Sequence, residues 1–263
     1  MTEIVLRDYQ VECVEAVRRE WDAGHLSTLA VLSTGAGKTE IALAALAAEQ
    51  QAGRLGRVLF LVHTIELVTQ PLERIDRAWP EFFGMTGIVQ GAEHNDVAAR
   101  FVMATWQSLS RGRLDSLLAF GPITHLVLDE CHRSVAHGIS AIVKRLRAEN
   151  PALRVLGLTA TPNRSDRSGL AKMFDSVAYK FPINKAIRAG ALVPFSALGV
   201  ELSDADLSNV KETAEGWDAD ELGAVLSAEN VKELVFQNWE QYCKDRLTIG
   251  FTASIAQAER MAE

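Results

Sequence analysis

Cysteine is scarce in this chain: Cys13, Cys131 and Cys243 are odd in number and far apart. That excludes a disulfide framework and leaves no ligand spacing suited to a structural zinc. Long apolar runs are also missing. No stretch of about 18 apolar residues occurs, and the N-terminus lacks a charged segment followed by an apolar core, so neither a membrane span nor a signal peptide is expected and the expected setting is cytoplasmic. Internal repeats and low-complexity tracts are absent as well. So is the basic excess common in nucleic-acid-binding domains: 27 Lys and Arg stand against 34 Asp and Glu, a net charge of −7. The acidity is local. Between Glu201 and Glu233 ten acidic residues face only Lys211 and Lys232, a balance of −8 that leaves the remainder near +1. Basic clusters lie elsewhere, at Arg111 and Arg113, at Lys144-Arg145 with Arg147, and at Arg164, Arg167 and Lys172. The alternation around Lys144 to Arg147 reads as a solvated helix face.

What is present is core. The chain has 263 residues, of which 48% are hydrophobic, enough to bury a large interior. Apolar runs at Leu29–Leu32, Arg57–Val62, Gly87–Val89, Phe101–Ala104, Leu126–Leu128 and Val155–Leu158 alternate with segments of helical period. Strands that are continuously apolar are buried on both faces, so the pattern predicts an α/β fold with a mainly parallel sheet covered by helices on both sides.

The segment Ser33-Thr34-Gly35-Ala36-Gly37-Lys38-Thr39 follows the first of these strands and opens the helical stretch Ile41 to Gln50. This is the setting of a phosphate-binding loop. Gly35 and Gly37 permit a tight turn that aims backbone N–H groups at phosphate oxygens, and the helix start adds partial positive charge. Lys38 would reach the β- and γ-phosphates of a nucleoside triphosphate, and the Thr39 hydroxyl would ligate Mg²⁺. The full pattern places another glycine five residues before Gly37, where this chain has Leu32.

About 90 residues later the run His125-Leu126-Val127-Leu128 ends in Asp129-Glu130-Cys131-His132. Asp129 suits the Mg²⁺ shell, and Glu130 suits the orientation or deprotonation of an attacking water. All these groups follow the carboxyl ends of predicted strands, the side on which open α/β sheets bind their ligands.

Through Asp129-Glu130-Cys131-His132 the chain resembles the superfamily 2 helicases and translocases, whose DEAD/DEAH box here takes a DECH form. The resemblance implies a RecA-like P-loop domain and extends along nearly the whole chain. Arg7-Asp8-Tyr9-Gln10 resembles the motif whose glutamine reads adenine. Leu61-Val62-His63-Thr64 resembles motif Ia, and Ala104-Thr105-Trp106-Gln107-Ser108-Leu109 the next nucleic-acid-contacting motif. Those matches imply nucleic-acid contacts by Thr64, Thr105, Trp106 and Gln107. Leu158-Thr159-Ala160-Thr161-Pro162 resembles motif III, which implies coupling roles for Thr159 and Thr161 alongside His132. The region from Tyr179 to Pro194 is similar to the branch near the type I and III restriction motors and XPB-like translocases, which favours double-stranded DNA over RNA as partner.

Beyond Pro162 the pattern loosens. Lys185 to Ala189 reads as a helix capped by Gly190, Asp218–Leu226 and Val231–Cys243 as further helices, and Leu247–Phe251 as a new strand followed by a helix start at Ser254. The expected organisation is a RecA-like ATP-binding lobe over residues 1–195, an acidic helical connector over 196–246, and the start of a second RecA-like domain over 247–263, the rest of that lobe being absent. The function expected is an ATP-dependent nucleic-acid motor. The competing expectation is a nucleotide-gated binding module with little hydrolysis of its own.

Overall fold

The computed structural model describes residues 5–62, 69–91, 94–109, 112–131, 137–161, 173–201, 207–213 and 216–262. By contacts the chain divides into two compact units, Met1–Pro194 and Phe195–Glu263.

The first unit begins with helix α1 (Asp8–Asp22) and strand β1 (Ser27–Leu32), then α2 (Lys38–Gln51), β2 (Arg57–Val62) and α3 (Thr69–Ala78). Next come β3 (Thr86–Gln90), the short β4 (His94–Asn95), β5 (Phe101–Thr105), α4 (Arg113–Leu118), β6 (Ile123–Leu128), α5 (His137–Glu149), β7 (Arg154–Thr159), β8 (Ser176–Phe181) and α6 (Ile183–Arg188). The strands form one sheet in the order β4-β3-β5-β2-β6-β7-β1-β8. Every neighbouring pair is parallel except β3 with β4.

The two faces of this sheet explain its continuous apolar strands. Successive side chains point to opposite sides, and both sides are covered. Ala30, Leu32, Val58, Phe60, Val127, Leu156 and Leu158 join a core with Tyr9 and Cys13 of α1, Ile41 and Leu46 of α2 and Ile75 of α3. Leu29, Val31, Leu59, Leu61, Leu126 and Leu128 join the opposite core with Leu117 of α4 and Ile139, Val143 and Leu146 of α5. Helix α2 is buried nearly all round from Ile41 to Ala47, which rigidly seats the loop that precedes it.

Strand β8, like the two-residue β4, is an element that the sequence pattern does not predict. It lies at the sheet edge beside β1, and its residues from Ser176 to Lys180 are exposed or half-buried, with only Phe181 buried. An edge strand needs no continuous apolar run.

In the second unit, β9 (Glu212–Thr213) and β10 (Gly216–Trp217) form a small antiparallel pair, followed by α7 (Ala219–Val225), α8 (Glu229–Tyr242) and α9 (Ile255–Ala262). Asp218 caps α7 by accepting from the backbone N–H groups of Asp220 and Glu221. The expected strand at Leu247–Phe251 is coil, with Leu247, Ile249 and Phe251 exposed. Among the described residues no strand pairs with it, and a lone strand leaves its backbone groups without a ladder. Among the described residues no helix is long and apolar enough to cross a membrane.

Candidate active site

The phosphate loop leaves β1 at Leu32, whose side chain is fully buried in the core shared with α1 and α2. Leu32 therefore packs behind the loop, and the glycine missing from this position is one the turn does not use. Ser33 fixes the exit: its N–H and its hydroxyl both donate to the carbonyl of Phe181, at 3.2 and 3.1 Å. The remaining two glycines are needed. Gly35 and Gly37 have φ of 82° and 74°, values that disfavour any residue with a Cβ. A Cβ on Gly37 would also lie 2.4 Å from Gln10 Nε2.

Gln10 and Tyr9 reach this loop from α1. Gln10 Nε2 and the Tyr9 hydroxyl donate to the Ala36 carbonyl at 3.3 and 3.1 Å. The Gln10 Oε1 accepts from the Arg7 N–H at 2.9 Å, closing the start of α1. Tyr9 is held flat against Phe181, with ring centroids 4.2 Å apart. Gln10 is thus a buried brace on the phosphate loop as well as the residue the sequence singles out for adenine. Arg7, Tyr9, Glu12, Tyr179, Phe181, Lys185 and Arg188 line an adjoining cleft of about 670 Å³, ample for a nucleoside. Tyr179, Lys185 and Arg188 belong to β8 and α6, and the sequence assigns none of them a nucleotide role.

Lys38, on the first turn of α2, meets the acidic box directly: its Nζ lies 2.8 Å from Glu130 Oε1. The two belong to the loops after β1 and β6, which parallel pairing through β7 brings to the same edge of the sheet. Glu130 has φ of 48°, the left-handed region that a non-glycine residue seldom occupies and that collects at functional sites. Asp129 is fixed by its N–H to the Leu61 carbonyl at 2.9 Å, and its Oδ1 accepts the Glu130 N–H at 2.9 Å. Burial pushes the Asp129 carboxyl up from its ordinary range and the Glu130 charge adds to this, while Lys38 opposes them. Such a carboxyl gains from a cation brought near it. Cys131 is buried and apolar in its surroundings, with its thiol pushed up by burial.

Thr39 and Asp129 offer hard oxygen donors, as Mg²⁺ requires, beside a loop shaped for phosphate. Among the described residues no cluster of three His, Cys, Asp or Glu side chains could hold a metal alone. The donor set fits a magnesium shared with substrate phosphates.

Of the remaining sequence-derived positions, Thr34 is exposed in the loop turn and Ala36 is buried. Thr159 is buried at the end of β7, and its hydroxyl accepts the N–H of the exposed Thr161 at 3.2 Å. Thr105 is also buried, its hydroxyl 2.8 Å from that of Ser108, where it closes a short turn. Trp106 is half-buried and lies against Gly138 at the start of α5, where a Cβ would stand 2.8 Å from the ring. Gln107 is exposed in the same turn. Thr64 and His132 lie outside the described residues. A residue that sequence reasoning missed is Glu40, next to Thr39, which binds Arg74 and Trp79 of the segment after β2.

Comparison with known proteins agrees with this geometry. Residues 3–164 match the ResIII family, described as type III restriction enzyme, res subunit. IRC3 of Saccharomyces cerevisiae is 27% identical over 243 residues, covering 89% of this chain and 34% of that protein. The DNA 3'-5' translocase XPB2 of Sulfurisphaera tokodaii is 35% identical over 163 residues, covering 62% of this chain and 32% of that one. The chain thus spans about a third of the length of these relatives. The Hef helicase domain of Pyrococcus furiosus shares the fold with a TM-score of 0.53 and 18% identity, over 98% of this chain and 54% of that one. With its parallel sheet, its phosphate loop and the Asp129–Glu130 pair after β6, the chain belongs to the ResIII family and has the fold of an N-terminal RecA-like lobe of superfamily 2.

Proposed function

We propose that this chain is the ATP-binding lobe of a nucleic-acid-dependent motor that hydrolyses ATP to move along or remodel DNA. The observation that carries this reading is the 2.8 Å contact between Lys38 and Glu130, which joins the phosphate loop to the acidic box in one site. The loop amides from Gly35 to Thr39 cradle the phosphates, Lys38 turns to the β- and γ-phosphates, Arg7 lines the adjoining cleft that would take the base, and Gln10, bonded to the Ala36 carbonyl, is assigned to the adenine edge by the motif it resembles. Thr39 and Asp129 would hold Mg²⁺, which when bound neutralises charge developing on the β–γ oxygens. Glu130, released from Lys38 by the incoming phosphates, orients the attacking water and accepts its proton. Thr159 and Thr161 at the end of β7, with His132, would relay the state of the site. Thr64, Thr105, Trp106 and Gln107 are assigned to the nucleic-acid face, Thr105 by shaping the turn that presents Trp106 and Gln107.

Double-stranded DNA is the preferred partner by the resemblance of Tyr179 to Pro194, and the name of the XPB2 relative as a DNA translocase supports DNA of either form. Residues 196–263 are read as a connector and the opening of a second RecA-like lobe, and a DNA-directed motor fits the expected cytoplasmic setting. An arginine supplied by a second lobe contributes roughly 10³ to 10⁵ in related phosphoryl-transfer enzymes, so the chain alone should turn over slowly. The test is steady-state ATP hydrolysis with duplex DNA, single-stranded DNA or RNA, by this chain and by a version extended through a complete second lobe. Stimulation of the extended form by duplex DNA supports the motor. Flat, low turnover with all three identifies a nucleotide-gated binding module instead.

A further inference from the structure

Glu40 is the one acidic residue in the first turn of α2, directly after the magnesium-binding candidate Thr39. A carboxylate there gains from the helix dipole, but dipole stabilisation alone requires no partner, and Glu40 has two. One oxygen pairs with the guanidinium of Arg74, and the other accepts the indole N–H of Trp79 at 3.1 Å. Both partners belong to α3 and its immediate C-terminal end. The Glu40 side chain is only 17% exposed and Trp79 is buried, so the carboxylate is held in a defined direction rather than waving in solvent.

The clamp leads onward. Helix α3 is anchored in the core through Ile75 and follows β2 across the short segment that contains Thr64. Trp79 packs on Phe82 with ring centroids 6.5 Å apart, Phe82 on Phe101 of β5 at 5.1 Å, and Phe101 on Phe60 of β2 at 6.5 Å. Strands β2 and β5 are the two whose carboxyl ends carry the segments assigned to nucleic acid. A continuous packed path therefore runs from the residue after Thr39 to the first residue of β5 and the middle of β2, the strands that carry those segments at their far ends. Densely packed aromatic contacts pass a displacement on rather than absorbing it.

We propose that Glu40 is a positioning residue that couples nucleotide binding at the phosphate loop to the nucleic-acid face through Arg74 and Trp79. It touches neither ATP nor DNA. The proposal rests on the reading of the chain as a motor lobe. A shift of the first turn of α2 on phosphate binding carries Glu40 with it, and with Glu40 the helix that continues from the β2 loop. Coupling is reciprocal, so bound DNA tightens the nucleotide by the same factor.

The test measures duplex-DNA affinity of this chain with and without a non-hydrolysable Mg²⁺–ATP analogue, and analogue affinity with and without duplex. Unaltered protein is expected to show a ratio of about five or more in both directions. Glu40→Ala should reduce that ratio to within about twofold of one, while analogue affinity in the absence of DNA changes little. Glu40→Gln keeps an acceptor oxygen for one partner and turns an NH2 toward the other, so it should retain only part of the coupling. If Glu40→Ala fails to fold, Arg74→Gln replaces it, since Arg74 is 45% exposed and dispensable to the core. An unchanged ratio in a folded Glu40→Ala or Arg74→Gln protein overturns the role of Glu40 and leaves the motor reading intact. Absence of any ratio in the unaltered protein removes the motor reading, and the Glu40 proposal with it.

Discussion

The two ends of the central sheet each bury charge, and they do so for opposite ends. At the amino-terminal edge, Glu49 of α2 is fully buried and receives Arg54 Nη2 at 2.5 Å, Arg54 Nε at 3.0 Å and the Arg154 guanidinium, with His125 Nε2 lying 3.5 Å away. Arg57 nearby donates to the carbonyls of Leu117, Gly121, Val97 and Ala99. At the carboxyl-terminal edge, Lys38 and Glu130 hold each other in a partly open setting, Glu130 sits in left-handed backbone, and Asp129 is pushed toward its neutral form. In the first cluster protein cations surround the Glu49 carboxylate, although His125 Nε2 and Arg57 Nε make no hydrogen bond of their own. The second is satisfied provisionally, with backbone strain and a desolvated carboxyl that a phosphate and a cation would relieve. Buried charge therefore marks function where its partners can be exchanged for a ligand, and not where they are locked.

The largest effects should separate the two edges by kind. Lys38→Ala is expected to abolish Mg²⁺–ATP binding, and Glu130→Gln to lower turnover by roughly 10² to 10⁴ while binding persists. Neither should lower the melting temperature appreciably, which calorimetry on the same preparations checks. At the opposite edge Glu49→Gln strands Arg154 and His125 and should cost about 3 to 5 kcal/mol of stability in denaturant titration. It should leave nucleotide affinity in the surviving folded protein unaltered.

Leu32→Gly sharpens the same contrast, because it completes the glycine pattern of the phosphate loop yet empties a core site. It should destabilise by about 3 to 5 kcal/mol with no gain in ATP affinity, measured by chemical unfolding beside nucleotide titration. A tighter-binding variant would contradict the placement of Leu32 behind the loop.

Acid should attack the amino-terminal edge. Burial alone would raise the Glu49 carboxyl, but His125, Arg54 and Arg154 together outweigh it and hold it at about 2, against an ordinary 4.5. Burial holds His125 below its ordinary value as well. Both folded values are depressed, so the unfolded chain binds more protons and stability falls as pH falls. The His125 contribution begins to be lost below about 6.5 and the Glu49 contribution, about 3 kcal/mol, between about pH 5 and 2. Unfolding followed across that range should show a shallower slope in Glu49→Gln than in the unaltered chain. The smallest change is Tyr9→Phe, which removes one hydroxyl from the Ala36 carbonyl and should cost about 1 kcal/mol, with a modest loss of ATP affinity.

The functional edge was the more legible in sequence. Glycines, a lysine and paired carboxylates after apolar strands have few other reasons to occur together, and Lys38, Asp129 and Glu130 assemble at one edge of the sheet. Six strands were readable because burial on both faces makes them apolar throughout. Strand β8 was not, since its edge position relaxes that demand. The acidic brace of Glu49 was hidden too: a lone glutamate late in an alanine-rich helix looks solvated until Arg54, His125 and Arg154 converge on it from separate segments. Glu40 escaped for the same reason. Leu32 looked like a defect in the phosphate loop because a pattern records residue types and not the direction in which a side chain points.

The most direct measurement is Mg²⁺–ATP titration of the unaltered chain, Lys38→Ala and Glu130→Gln under conditions without turnover. Since Glu130 competes with phosphate for Lys38, the account predicts that Glu130→Gln binds ATP at least as tightly as the unaltered chain while Lys38→Ala does not bind. Equal loss of binding in both variants would contradict it, because Glu130 would then be holding the loop together rather than waiting on its ligand.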